Sequence, residues 1–376
     1  MNIALSTFTQ HVYRYVAKPI LFRQKPDGVH ARLLWSGQQV QKVAPLRALL
    51  RVSWAYKNEE ALGQTLHGIT FPNPIGLSAG FDKNFELVPL VKEIGFGFME
   101  GGSITFHQCA GNPKPWFYRL PKTQSLVVNA GLANKGVSAV IKTLKRYPSR
   151  VFTDFPLNIS VAKTNSPGAA SEADAIADYV GSLTALQSAR LGSMITLNIS
   201  CPNTYGGEPF TTPERLDHLL TAIDALHLAQ PVFIKMPVDL AWPEFKQLLN
   251  VADTHTVAGV TISNLAKDRS TVKLLDPLPD SVKGNLSGKP TQALSNQLIS
   301  KTYQAYKDRF TIIGAGGVFS AEDAYEKIKL GANLVELITG LIFEGPQLIG
   351  QINRNLVKLL ERDGYANVSE ARGTKA

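Results

Sequence analysis

The spacing of hydrophobic positions changes once along the chain, near residue 63. In TFTQHVYRYVAKPILF (7–22) apolar side chains fall at Phe8, Val12, Val16 and Leu21, while Arg14 and Lys18 lie on other faces. That spacing predicts a helix, which Pro19 is expected to break or kink because proline has no amide proton. A second helical pattern follows Asp27, with Val29, Leu33, Leu34 and Trp35 on one side. From Gly63 onward, short apolar runs alternate with amphipathic stretches. Strands are predicted at 74–80, 96–104, 156–163, 194–197, 231–236, 257–263, 311–317 and 333–340. Helices are predicted at 85–94 and 169–190, after Pro213, and at 242–253, 321–330 and 346–361. Repeated β-then-α units imply a parallel sheet. Eight of them suit an α/β (β/α)8, or TIM, barrel. The doubly wound alternative lacks a GxGxxG turn between strand and helix. The expected organisation is a helical extension at 1–60, a barrel at 61–364 and a disordered tail at 365–376, with a linker only within 40–65.

Composition narrows the chemistry. The 376 residues are 44% hydrophobic, enough for a sizeable core. Cys109 and Cys201 are too few for a disulfide framework, and neither lies in a metal-ligand spacing, so no metal is expected. The net charge of +9 is uneven: residues 1–60 hold nine basic and three acidic side chains, a net +6. Basic residues interleaved with aromatic and aliphatic ones suit an anionic membrane surface better than nucleic acid. No run reaches the roughly 18 apolar residues of a membrane span, so the expected attachment is peripheral.

Polar and small residues recur where the predicted strands end. These are Ser78, Ala79, Gly80 and Lys83 after the first; Gly102 and Ser103 after the second; and Asn158, Ser160 and Lys163 in the third. Asn198, Cys201 and Asn203 follow the fourth, Lys235 closes the fifth, and Ser263 with Asn264 the sixth. Gly314, Gly316 and Gly317 close the seventh, with Thr339 and Gly340 at the eighth. Active sites of barrels lie on that face. Small residues there leave room for a broad, flat ligand, and the late glycines suit a phosphate cradle. Lys235 follows Val232, Phe233 and Ile234, and burying its charge requires a partner, for which a flavin ring would serve.

These residues resemble the dihydroorotate dehydrogenases, and among them the quinone-linked, membrane-associated class. The resemblance runs from about residue 20 to residue 358. It rests on PILFRQKPDGVH (19–30), FPNPIGLSAGFDKN (71–84), GNPKPWFYRLP (111–121), NISCPNT (198–204), GNLSGKP (284–290), IIGAGG (312–317) and TGLIFEGP (339–346). It implies an FMN barrel that oxidises dihydroorotate to orotate in de novo pyrimidine (UMP) biosynthesis. It further implies a quinone acceptor and attachment to the cytoplasmic face of the inner or plasma membrane. A base removes the C5 proton and hydride leaves C6. By the same resemblance Ala79, Gly80, Lys83, Ser103, Asn158, Asn198, Lys235, Ser263, Gly288, Gly316, Gly317, Ile338 and Thr339 hold FMN. Lys83, Asn129, Gly131, Leu132, Asn198, Asn203 and Asn264 hold the substrate, and His30 and Arg119 line a quinone tunnel.

The chain departs from that pattern. Cys201 stands where the quinone class has a serine base, and a thiol loses its proton far more easily than an alcohol. Val128 stands where the family has asparagine, unless that role shifts to Asn129. Leu265 replaces the polar residue after Asn264, and the loop after Thr105 reads Phe106-His107-Gln108. Two further readings follow. One keeps the flavin and the thiol base but takes a related cyclic amide or another acceptor. The other is a non-catalytic module that binds membrane surfaces.

Overall fold

The computed structural model describes residues 2–376 except Pro202, Asn203 and Gly206. Eight short strands, mostly apolar and almost wholly buried, form its centre. They are β1 (Ile75–Leu77), β2 (Phe98–Ile104), β3 (Leu157–Val161), β4 (Met194–Leu197), β5 (Val232–Met236), β6 (Val257–Ile262), β7 (Thr311–Ala315) and β8 (Leu334–Leu337). All pair in parallel in chain order, and β8 returns to β1 through Val335–Ile75 and Leu337–Leu77. The barrel is therefore closed, with no exposed edge.

Helices cover the outside because their apolar positions share one face. In Trp242–Asp253 these are Phe245, Leu248, Leu249 and Ala252; in Pro213–Asp224 they are Leu216, Leu219, Leu220 and Ile223. Both sets follow the i, i+3, i+4, i+7 rule. The amino-terminal end of the barrel is plugged by a hairpin, Gln64–Leu66 with Ile69–Phe71. Its turn residues His67 and Gly68 both have positive φ, as a two-residue hairpin turn requires. Phe71 meets Phe98 edge to face at 5.5 Å, and Met194, Phe233, Ile313 and Leu334 complete that apolar layer.

Four expectations change. Pro19 does not break the first helix: Ile3–Val12 runs through a π turn at Tyr13–Ala17 into Lys18–Phe22. The wider turn removes the need for an amide proton at Pro19. Within the expected linker lies a full helix, Ala44–Trp54, so the extension has three long helical segments rather than two. The tail is ordered: Val368–Ala371 is helical, with Asn367 Oδ1 accepting from the amides of Ser369 and Glu370. Val368 and Ala371 are buried, and Lys375 N donates to Lys329 O at 2.8 Å. Two apolar residues one turn apart suffice to seat this polar segment on the barrel. Finally, the strands Phe117–Leu120, Ser125–Val128 and Asn285–Leu286 form an antiparallel sheet that the periodicity did not reveal. The helix Pro26–Val40 packs on its Phe117–Leu120 edge.

Candidate active site

The carboxyl ends of the barrel strands open into one cavity, roofed by the antiparallel sheet and by the helix Pro26–Val40. Of the residues expected to hold cofactor or substrate, Ala79, Gly80, Lys83, Ser103, Asn198, Cys201, Lys235, Ser263, Asn264, Gly288, Gly316, Gly317, Ile338 and Thr339 line it. Gly131 and Leu132 line it from the loop after the antiparallel sheet, and His30 and Arg119 line its outer part. Two expected contacts are not on the wall. Asn158 sits one layer deeper, its Nδ2 donating to Thr196 Oγ1 at 2.8 Å. Asn129 turns aside and accepts from Asn112 Nδ2 at 3.0 Å. Asn203 lies outside the described residues.

A hydrogen-bonded chain fixes the amides across the strand ends. Asn264 Nδ2 donates to Asn198 Oδ1 at 3.0 Å and to the Ser200 carbonyl at 2.8 Å. Asn198 Nδ2 donates in turn to Ser103 Oγ at 2.8 Å, and Ser103 meets Ser160 Oγ at 2.7 Å. Tyr179 Oη holds the Asn198 carbonyl at 2.9 Å. Side chains from β2, β3, β4 and β6 are thus locked into one rigid edge, as a site that reads a small planar ligand needs. Cys201 is half-buried beyond that edge, packed on the cluster of Cys109, Leu132 and Ala162. Lys163 Nζ pins the loop that follows Cys201 by donating to Tyr205 O at 2.6 Å.

The glycines beside the cavity are required by the backbone and by close packing within the chain. Gly317 has φ +73, and a Cβ there would lie 2.3 Å from Gln292 Cβ. At Gly288, with φ +79, a Cβ would lie 2.4 Å from Gln124 O and 2.8 Å from Thr339 Cγ2. Ser287 and Thr339 share a 2.9 Å hydroxyl contact beside this cradle.

Lys83 is half-buried, and its Nζ donates to the Gly80 carbonyl at 2.8 Å. Burial pushes its pKa down to about 8, against the attraction of Asp82 and Asp27. Below that pH it is a cation suited to a carboxylate. Affinity for an anionic substrate is therefore expected to fall about tenfold per pH unit as pH rises past 8, where the ammonium is lost. Titrating substrate affinity against pH tests this, and a flat profile through pH 9 rules it out.

Two residues absent from the expected set belong to the site. Lys235 Nζ lies 3.1 Å from Glu100 Oε2, and both side chains are buried. Glu336 lines the same cavity. Each glutamate lies inside an otherwise uncharged strand, and the rule that a buried charge needs a partner could have singled them out as it did Lys235.

The outer part of the cavity is apolar, built from Val29, Leu33, Phe81, Phe117, Val318 and Ile342. His30 stands there between Phe81 and Phe117, at ring distances of 5.4 and 5.5 Å. Burial and then the Lys83 charge depress its pKa to about 3, so it is neutral at physiological pH. Arg119 caps the end of the first helix, donating to Gln24 O at 2.7 Å, and covers the Phe22 ring.

A sequence profile described as dihydroorotate dehydrogenase matches residues 61–360. The chain belongs to this family. A relative from Acaryochloris marina, a dihydroorotate dehydrogenase (quinone), is 32% identical over 97% of this chain and all of its own length. One from Synechococcus sp., of the same description, is 34% identical over 92% of each chain. Among solved structures, the ligand-free dihydroorotate dehydrogenase of Eimeria tenella superposes with a TM-score of 0.80 at 25% identity, covering 93% of this chain and 99% of its own. The same enzyme in complex with ferulenol gives 0.78 at 26%. The family's span takes in the barrel and the antiparallel roof, while the curated relatives extend the match over the helical extension as well.

Proposed function

We propose that the chain oxidises dihydroorotate to orotate, with FMN as resident cofactor and a membrane quinone as acceptor, in pyrimidine biosynthesis. The observation that carries this reading is one cavity whose inner end holds Cys201, Asn198, Asn264, Lys83 and Lys235 and whose outer end is apolar. The inner residues fit FMN. Gly288, Gly316 and Gly317 present bare backbone to the cavity, and the buried cation Lys235 stands on the same wall. A buried cation needs a partner, so a flat heteroaromatic ring with acceptors of its own suits this wall. Ala79, Gly80, Ser103, Lys235, Ser263, Gly288, Gly316, Gly317, Ile338 and Thr339 would hold it. When bound, FMN supplies the hydride acceptor.

The chain's own residues do the rest. Lys83 holds the substrate carboxylate, Asn198 and Asn264 orient the ring amides, and Cys201 takes the C5 proton. Purified protein should be yellow, release FMN on heating, and turn over dihydroorotate with a quinone analogue. Colourless folded protein that takes up no added FMN would refute the reading. A related cyclic amide is the second reading, favoured by Val128 and Leu265, which present apolar surface to the cavity where polar groups were expected. Comparing turnover of the two substrates separates them.

We propose peripheral attachment, on the cytoplasmic face, and the surface of the extension supports the attachment itself. Among the described residues, twelve of the fifteen exposed large hydrophobic side chains lie between Ile3 and Val52, so most of the exposed apolar surface is on the amino-terminal helices. Among the described residues no helix is long and apolar enough to cross a membrane. Phe8 and Trp35 are 64% and 63% exposed. Replacing both with Asp should abolish cosedimentation with anionic vesicles and leave flavin reduction by dihydroorotate intact. Undiminished vesicle binding would make the extension a cap only.

A further inference from the structure

Three buried charged side chains meet at one place on the barrel wall. Lys235 on β5 donates to Glu100 on β2 at 3.1 Å and to Ser78 Oγ at 3.3 Å, and Ala79 N–H donates to the same Glu100 oxygen at 3.4 Å. Glu336 on β8 faces the Glu100 carboxylate and the Ser78 hydroxyl. Neither Glu336 oxygen meets a donor among the described residues, and Glu100 Oε1 meets none either. Two carboxyl groups therefore confront each other in the interior with nothing between them to bond. As two anions they would repel at low dielectric and leave buried acceptors unpaired. One proton between them removes the repulsion and pairs Glu100 Oε1 with one Glu336 oxygen, leaving the other Glu336 oxygen to the Ser78 hydroxyl that it faces.

We propose that Glu336 is held as the neutral carboxylic acid, its proton bonded to Glu100, so that Glu336, Glu100 and Lys235 form a unit of zero net charge that keeps Lys235 cationic on the cofactor wall. The charged groups facing Glu336 are Glu100 and Lys235, and Ser78 is its remaining polar neighbour. Burial and then the Glu100 charge push the Glu336 acid well above the ordinary carboxyl range, against the pull of Lys235. The charge of this unit sets how readily a bound flavin accepts electrons, because an added negative charge beside it opposes reduction. Glu336 is thus a tuning residue that does not touch the reacting carbons. The flavin part of the inference rests on the FMN reading above; the protonation state does not.

The sign of the linkage makes the acid measurable without turnover. A carboxyl whose folded pKa is raised binds its proton more tightly in the folded state, so its contribution to stability falls as pH rises above the ordinary carboxyl value. Glu336→Gln keeps a neutral donor but cannot titrate. The folding constant of E336Q relative to wild type should therefore rise about tenfold per pH unit above the ordinary carboxyl range, up to the pKa of the buried acid. A ratio independent of pH would show Glu336 already ionised and overturn the proposal. Should E336Q not fold, infrared spectra of the wild type at pH 8 decide. Asp82, pushed up to about 6, is then ionised, and a protonated-carboxyl stretch should remain; its absence overturns the proposal. In flavin-loaded protein, E336Q should match the wild-type flavin potential at pH 7 and exceed it once the wild-type acid ionises. A higher potential already at pH 7 would mean that Glu336 carries a charge. Wild type that binds no flavin would sink the FMN reading alone and leave the folding ratio to judge the acid.

Discussion

Cys201→Ala is expected to slow reduction of bound flavin by dihydroorotate roughly 10²-fold or more, the range of a positioned general base. Cys201 lines the cavity beside the locked amides Asn198 and Asn264. Those amides bond to Ser103 and Ser200, so the edge keeps anchors of its own when the sulfur is removed. The slowing should therefore appear in single-turnover flavin bleaching with FMN content unchanged. Cys201→Ser is the sharper variant. A serine needs a partner to lose its proton, and its reference acidity is far below that of a thiol. If the wall serves a thiolate, Ser behaves almost like Ala; if it serves the alcohol of the quinone class, Ser retains substantial rate. Wild-type bleaching in the alanine variant would show that the base lies elsewhere.

Lys235→Met should destabilise the fold by about 3–5 kcal/mol, the usual cost of leaving one member of a buried ion pair without its partner. In the wild type, burial works to neutralise both groups, but their mutual attraction outweighs it. It holds Glu100 below the ordinary carboxyl value and Lys235 above the ordinary amine value. The signs fix the pH window. The Glu100 contribution is lost only as pH falls through its lowered pKa, and the Lys235 contribution only as pH rises through its raised one. Neither contribution changes in the wild type from about pH 5 to pH 10, whereas in Lys235→Met the buried Glu100 without its cation holds its proton more tightly than the unfolded chain does, so the loss should grow as pH rises above the ordinary carboxyl range in denaturant titrations. Adding Glu100→Gln to Lys235→Met should recover much of it, since the unpaired charge then disappears. A single variant as stable as wild type would show that the pair contributes nothing.

The elements most legible from sequence were those whose signal lies in neighbouring residues. Alternation of apolar runs with amphipathic helices located all eight barrel strands, because a strand buried on both faces must be apolar along its length. The helix Trp242–Asp253 emerged with its bounds because Pro243 near its start and the Phe245-Leu248-Leu249-Ala252 face are local features. Cys201 and Lys235 were legible because a barrel presents its chemistry at strand ends. The helix Ala44–Trp54 was hidden by its basic residues and by Pro45. Its apolar residues Leu46, Leu49 and Val52 are exposed, so no buried stripe marked it.

What sequence alone determined is the period of each segment, and with it the barrel, the basic amphipathic extension and the face on which the site lies. Only the tertiary structure decided which distant residues meet. The antiparallel roof pairs Val127 with Leu286, more than a hundred and fifty residues apart. The turning of Asn129 toward Asn112 depends on that roof. Likewise Glu100, Lys235 and Glu336 become one unit only when β8 closes on β1, because charges interact through space and in a low-dielectric interior. Periodicity records how each residue relates to its neighbours along the chain and carries no information on that separation.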